Sequence, residues 1–178
     1  MLASDGVAGF TTRKVAQGAA TSPPALYELF GDRAGLVREM FFEGFRMLRR
    51  RFDQLDETDD PRADLVAVIA TLRKFVRGNP VLAELMYSRP FADFDPGPSG
   101  LEAGSAVRLF VVGRVRRCVD AGLLAGDATD IAHIVVSLTQ GLAATEIAGW
   151  LGTSRASVTR RWDLAIRAVL DGLSRSKA

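Results

Sequence analysis

Apolar residues recur along this chain at intervals of three and four, the spacing of one helix face, and no stretch alternates as a strand would. The longest stripe runs Leu36, Val37, Met40, Phe41, Phe45, Leu48, Phe52 and Leu55, which predicts one long amphipathic helix after Asp32. Leu65, Ile69, Leu72 and Val76 mark another, opened by the Asp60-Pro61 pair and stopped at Gly78-Asn79-Pro80. A short helix from Val81 to about Tyr87 follows. Arg89-Pro90 through Gly100, rich in proline and glycine, reads as a loop whose Phe91 and Phe94 pack against the core. Three further helices are expected. The first spans about Leu101 to Ala121, with Val107, Val111, Val115 and Val119 on one face and Gly122 at its end. The next starts at an Asp127 cap, carries Ile131, Ile134, Val135, Leu138 and Leu142, and continues unbroken to Leu151. The last runs from Thr153 or Ser154 to about Leu173, with Val158, Trp162, Ile166, Val169 and Leu173 in a row. The expected fold is all-α.

The stretch Thr11 to Leu36, TTRKVAQGAATSPPALYELFGDRAGL, has a different texture. Thr11 suits an N-cap, and Val15, Ala16 and Ala19 give a first short helix a small apolar face. Ala20 and Thr21 make a turn. Ser22 then caps a second helix with Pro23 at its first position, where a missing N–H is harmless and the fixed φ already suits a helix. Leu26 and Phe30, four apart, point inward, while Pro23, Pro24, Ala25 and Tyr27 face outward. Gly31 ends this helix and Asp32 caps the next. That is a helix-turn-helix, a unit that places its second helix in the major groove of DNA.

These residues resemble the tetracycline-repressor (TetR) family of transcriptional regulators. The family's pattern is a threonine or serine, V/I-A-x-x-A, S-x-x-x-L-Y-x-x-F, then a basic residue and an aliphatic. Here Thr11, Val15-Ala16, Ala19, Ser22, Leu26-Tyr27, Phe30, Arg33 and Leu36 stand in register. Two positions depart from it. Leu29 stands where the family usually has histidine or tyrosine, which removes a polar contact to DNA. The family also places a full helix before the hairpin, whereas Met1-Leu2-Ala3-Ser4-Asp5-Gly6 looks like only its last turn, so the true start is expected upstream.

Composition narrows the picture. The 178 residues suit one or two small domains with a real core, and 48% of them are hydrophobic. The net charge of +2 is too small to argue nucleic-acid binding by itself, so any electrostatic footprint must be local. The cluster Arg46, Arg49, Arg50 and Arg51 lies turns away from the hairpin and reads as a solvated face. A single cysteine, Cys118, excludes an intrachain disulfide framework and a cysteine zinc cluster. No signal peptide is apparent. The most apolar stretch, Ile131 to Leu151, carries His133, Gln140 and Glu146, which are costly at a bilayer centre. The expected location is the cytoplasm.

Catalytic patterns are missing: there is one histidine and one cysteine, and no G-x-S-x-G, Walker, dinucleotide or HExxH motif. An enzyme is not expected, nor a cofactor or metal. His133, on an apolar helix, reads as a hydrogen-bonded core residue. A second helix-turn-helix pattern, E-I-A-x-x-L-G-x-S-x-x-x-V-x-R from Glu146 to Arg160, competes with the first. It is set aside because Glu146 reads as mid-helix, and because the TetR resemblance puts the last two long helices into a four-helix dimer bundle. Arg155, Arg160 and Arg161 are then solvent-facing.

The resemblance implies a repressor that binds a near-palindromic operator as a homodimer and leaves it on binding a small molecule. Residues 1–50 would form the DNA-binding head with its connecting helix, and 51–178 the effector-binding and dimerisation domain. Ser22, Tyr27, Thr12 and Arg33 would hold phosphates. Arg13, Pro23, Pro24 and Ala25 would approach bases, the last three through apolar contacts such as thymine methyls. An effector pocket would draw on Phe75, Met86, Tyr87, Phe91, Phe110, Arg114, His133 and Gln140, which suits an apolar or aromatic molecule with one polar handle. The alternative is a helical small-molecule sensor that does not bind DNA because its first helix is missing.

Overall fold

A computed structural model describes residues 12–88 and 92–174, with side chains from Val15 on. The expectations for Met1 to Gly6, Thr11 and Phe91, and for the side chains of Thr12 and Arg13, lie outside the described residues. Among those described there are helices and no strands: α1 Thr12–Gly18, α2 Pro23–Phe30, α3 Arg33–Phe52, α4 Pro61–Gly78, α5 Pro80–Tyr87, α6 Gly97–Asp120, α7 Ala128–Ile147 and α8 Arg155–Gly172. They fall into two compact units. One is the chain through Arg49 together with Asn79–Ala106; the other is Arg50–Gly78 together with the chain from Val107 on. Helix α3 runs from the first unit into the second at Arg50, and α5 and the first turns of α6 belong to the first unit.

In the first unit, α1, α2 and the start of α3 close on a small core of Ala16, Leu26, Leu36, Val37 and Leu85, with Val15, Phe30, Met40, Leu82 and Phe94 packed around it. Ala19, expected on the apolar face, is exposed instead. Aromatic rings extend the core: Phe41 lies 4.9 Å from Phe45 and 5.4 Å from Phe94, centroid to centroid. Helix α6 begins at Gly97, a turn earlier than expected. Asp95 accepts the Gly97 N–H at 2.9 Å, and Pro98 sits in the first turn, where its lack of an N–H costs nothing. Gly100 eases the packing there, because a Cβ would lie 3.0 Å from Pro96 and 3.2 Å from the Phe41 ring, so those side chains would have to give way.

The second unit has a conventional helical core, with Phe52, Leu65, Val68, Phe75, Val111, Val115 and Leu170 almost fully buried. The expected stripes of α4 and α6 both face it. One buried carboxylate organises the α4 N-terminus. Asp64 accepts from the Thr58 N–H at 3.0 Å, the Thr58 hydroxyl at 2.8 Å, and the guanidinium groups of Arg114 and Arg117. The Thr58 backbone bond, opposed by burial and joined by the Thr58 hydroxyl and Arg117, lowers its pKa from 3.8 to about 2. Cys118 is buried, and its thiol donates to the Pro61 carbonyl.

Helix α7 does not run on to Leu151. It stops at Ile147, where Gly149 adopts a left-handed φ of 78° and turns the Trp150 N–H back onto the Thr145 carbonyl. A fresh start follows: Ser154 caps α8 and exchanges reciprocal hydrogen bonds with Ser157. Glu146 therefore sits in the last turn of a 20-residue helix. The second helix-turn-helix pattern fails because no short helix begins at Glu146, not because Glu146 lies mid-helix.

Candidate nucleic-acid interface

The α1–α2 hairpin is specified almost wholly by its own backbone. At the end of α1, Ala20 takes a left-handed φ of 51°, so that Thr21 N–H reaches the Ala16 carbonyl and Ala20 N–H the Gln17 carbonyl. Ser22 follows in extended conformation, and its Oγ accepts the Ala25 N–H at 3.3 Å. Pro23 and Pro24 fill the first two helical positions. At the far end Gly31, at φ 78°, returns its N–H to Tyr27, and Asp32 caps α3 by accepting the Gly35 N–H at 2.7 Å.

This construction sets the chemistry of the α2 tip. A helix N-terminus ordinarily offers several backbone N–H groups to an anion. Here two are replaced by proline, the third is taken by Ser22 Oγ, and the Leu26 N–H already reaches the Ser22 carbonyl. Any anion contact at this tip must therefore come from side chains. The Ser22 hydroxyl, accepting from Ala25, keeps its own proton to donate. Its first three positions present the ring methylenes of Pro23 and Pro24 and the methyl group of Ala25, suited to the thymine C5-methyl and unable to read donors or acceptors, while Tyr27 and Glu28 bring exposed polar groups behind them.

Of the residues expected to touch DNA, Ser22, Pro23, Pro24, Ala25 and Tyr27 share this short helix and its cap. Ser22 and Pro24 are exposed, Pro23 and Ala25 half-buried, and Tyr27 is 44% exposed. Leu29, the departure from the family pattern, is 74% exposed. Arg33 opens α3 and is exposed, while Thr12 and Arg13 lie in the first turn of α1. Leu26, the one fully buried residue of α2, anchors the helix to the head core.

The expected effector residues are distributed over both units. Met86 is buried in the first unit, and Tyr87 lies edge-on to Phe45 there at 5.8 Å. In the second unit Phe75 is fully buried, with the Arg51 guanidinium 5.1 Å from its ring centre. Phe110 stacks on Phe52 at 5.1 Å. Arg114, another of the expected effector residues, is committed within the chain to Asp64, to Glu57 at 3.2 Å and to the Leu55 carbonyl at 3.1 Å. His133 is exposed, its Nδ1 3.0 Å from the Thr129 carbonyl four residues back, so it is not the core residue expected. Gln140 is half-buried. A cavity of this unit lies along α4 and α8, and none of these residues borders it. The row Val158, Trp162, Ile166 also turns toward that cavity, while Leu164, on the opposite side of α8, is exposed.

Sequence reasoning missed the group around Glu146. Its carboxylate takes a bidentate pair of bonds from Arg73 at 2.9 and 3.0 Å, one from Arg77 at 3.0 Å, and the Trp162 indole N–H at 2.8 Å. Burial pushes its pKa up, but the Arg73 and Trp162 bonds and the two arginine charges outweigh that, leaving it below the usual value. The only available signal was an acidic residue inside a strongly apolar run. Among the described residues no cluster of His, Cys, Asp or Glu is placed to hold a metal, and no helix is long and apolar enough to cross a membrane.

Comparison with known proteins gives a consistent picture. Residues 1–40 match the profile of the family described as bacterial regulatory proteins, tetR family, and residues 65–169 match the tetracyclin repressor-like C-terminal domain. A protein of unknown function from Rhodococcus sp. RHA1 is similar in structure, with a TM-score of 0.79 and 27% identity over 98% of this chain and 90% of that one. The TetR family transcriptional regulator PfmR from Thermus thermophilus gives a TM-score of 0.69 and 17% identity, over 95% of this chain and 92% of that one. A bacterial regulatory protein in the tetR family from Rhodococcus RHA1 gives 0.72 and 15%, over 99% and 92%. No curated protein matches the sequence.

Proposed function

The chain belongs to the TetR family and is a DNA-binding transcriptional regulator, and from that premise we propose that it is a repressor released from its operator by a small molecule. Regulators of this family bind operator DNA and small effectors as dimers, and are generally not enzymes. The observation that carries the reading is the α2 tip: a helix held by Ser22 and Leu26 that turns Pro24 and Tyr27 outward with no backbone donor of its own.

In this reading Ser22, Tyr27, Thr12 and Arg33 hold phosphates and fix the register, while Arg13, Pro23, Pro24 and Ala25 approach bases. The homodimer forms through α7 and α8. In support, α7 exposes Ile134, Ser137, Gly141, Ala144 and Ile147 along one side, and α8 exposes Leu164 and Ala168. Small residues let helices approach closely, and the exposed aliphatics give a four-helix bundle its apolar seam. Residues 1–50 serve as head and 51–178 as effector and dimer domain, acting in the cytoplasm. The effector is an apolar or aromatic molecule that prefers the conformer whose two heads do not fit successive major grooves.

The role assignments are separable by experiment. Tyr27→Phe removes a phosphate contact and lowers affinity for every operator in a panel by a similar factor. Ala25→Ser changes the groove-facing surface and shifts preference between operators by about 1–3 kcal/mol at one base position. The two variants behaving alike across the panel would overturn the assignment.

A further inference from the structure

The second unit carries a groove of about 970 Å³ along α4 and α8. Val66 and Ile69 from α4, with Val158 and Ile166 from α8, give it apolar walls. Six cations border it (Arg62, Arg73, Lys74, Arg77, Arg155 and Arg167) against two carboxylates, Glu146 and Asp163. On a chain whose net charge is only +2, that is a local concentration of positive charge in a concave, partly apolar setting, where a field is focused rather than screened.

The pairing within the groove shows where that charge remains available. Arg73 and Arg77 both bind Glu146, and Arg73 also lies over the Trp162 ring at 4.4 Å, so these side chains form a rigid wall. Arg62 is bound to Asp171, and Arg167 donates to the Asp163 carbonyl. Lys74 and Arg155 are exposed and have no partner among the described residues. One comes from each side of the groove.

We infer that this groove is a binding site for a small organic anion, an apolar body with one carboxylate, whose head pairs with Lys74 and Arg155 while its body lies on Val66, Ile69, Val158 and Ile166. A neutral ligand gains the same apolar contacts but leaves the cationic rim unanswered. A bare anion gains the rim but covers none of the walls. The site is separate from the residues that the sequence suggested for an effector, and it stands whether or not its occupancy alters DNA binding.

Octanoate and its neutral counterpart octanamide test this directly, because neither absorbs where tryptophan does. The chain has two tryptophans, and Trp150 is 85% exposed, so Trp150→Phe leaves Trp162 as the reporter in the groove wall without disturbing the core. Octanoate is expected to give a saturable change in Trp162 fluorescence and matching calorimetric heat. Octanamide should bind about tenfold more weakly, and so should octanoate to the Lys74→Gln, Arg155→Gln double variant, as loss of a charge-assisted hydrogen bond implies. Both replaced side chains are exposed, so the variant retains its core. No saturable change with octanoate, equal affinity for octanoate and octanamide, or an unaltered double variant would each overturn the proposal.

Discussion

Helices α1, α6 and α7 end by the same backbone device, in which a residue of left-handed conformation sends two N–H groups back to the last turn. In the second unit that residue is glycine both times: Gly122 at φ 69° closes α6, and Gly149 at φ 78° closes α7. In the head it is Ala20, at φ 51°. A Cβ in that conformation meets the neighbouring carbonyl and costs about 1–2 kcal/mol. The head thus holds strain at the turn that aims its recognition helix, while the second unit avoids strain at turns that join long, well-packed helices. The contrast extends to packing. The head rests on a small cluster around Leu26, whereas the second unit buries long stripes and locks them with ionic clamps at Asp64 and Glu146. Strain is tolerated where surrounding contacts over-determine the geometry, and in the head those contacts are the caps.

The largest effect on this contrast is expected from Leu26→Ala. Truncating the anchor of α2 removes about 2–5 kcal/mol from a core with little to spare. Operator binding should disappear while most helical circular dichroism survives; a variant that still bound its operator tightly would mean the head is better packed than its core indicates. In the second unit the corresponding stress is acid. Because the folded pKa of Asp64 is about 2, below its unfolded value, the group adds stability above about pH 4, and that contribution fades as pH falls toward 2. Asp64→Asn should lower stability at pH 7 and flatten its decline between pH 4 and 2. Denaturant melts at pH 7 and pH 3 would read this, and parallel decline in both proteins would refute the clamp. The smallest change is Ala20→Gly. It relieves the left-handed strain at some cost in unfolded-state entropy, for a net gain of about 1 kcal/mol or less, seen as a higher melting midpoint. A loss of stability would show that Ala20 is not strained.

The same contrast explains what the sequence made legible. The hairpin could be read because each of its instructions is local: Ser22 three residues from the Ala25 N–H it accepts, Asp32 three from Gly35, Leu26 four from Phe30. The glycine that ends α7 was visible, but the apolar run through Ile147 to Leu151 masked it. The clamps were not legible, since Asp64 meets Arg117 across 53 positions and Glu146 meets Arg73 across 73. His133 misled for the same reason, since whether a histidine faces water depends on distant helices, and the commitment of Arg114 to a buried carboxylate was hidden likewise. The groove along α4 and α8 arises only when two helices far apart in sequence come together.

Operator binding is best measured as affinity for DNA from the protein's own promoter region, beside an unrelated duplex, over a series of salt concentrations. Tighter binding to the promoter fragment is expected at every salt concentration, with log K falling linearly as log salt rises, because phosphate contacts release counterions. A well-folded dimer that binds the two duplexes equally weakly throughout the series would contradict it.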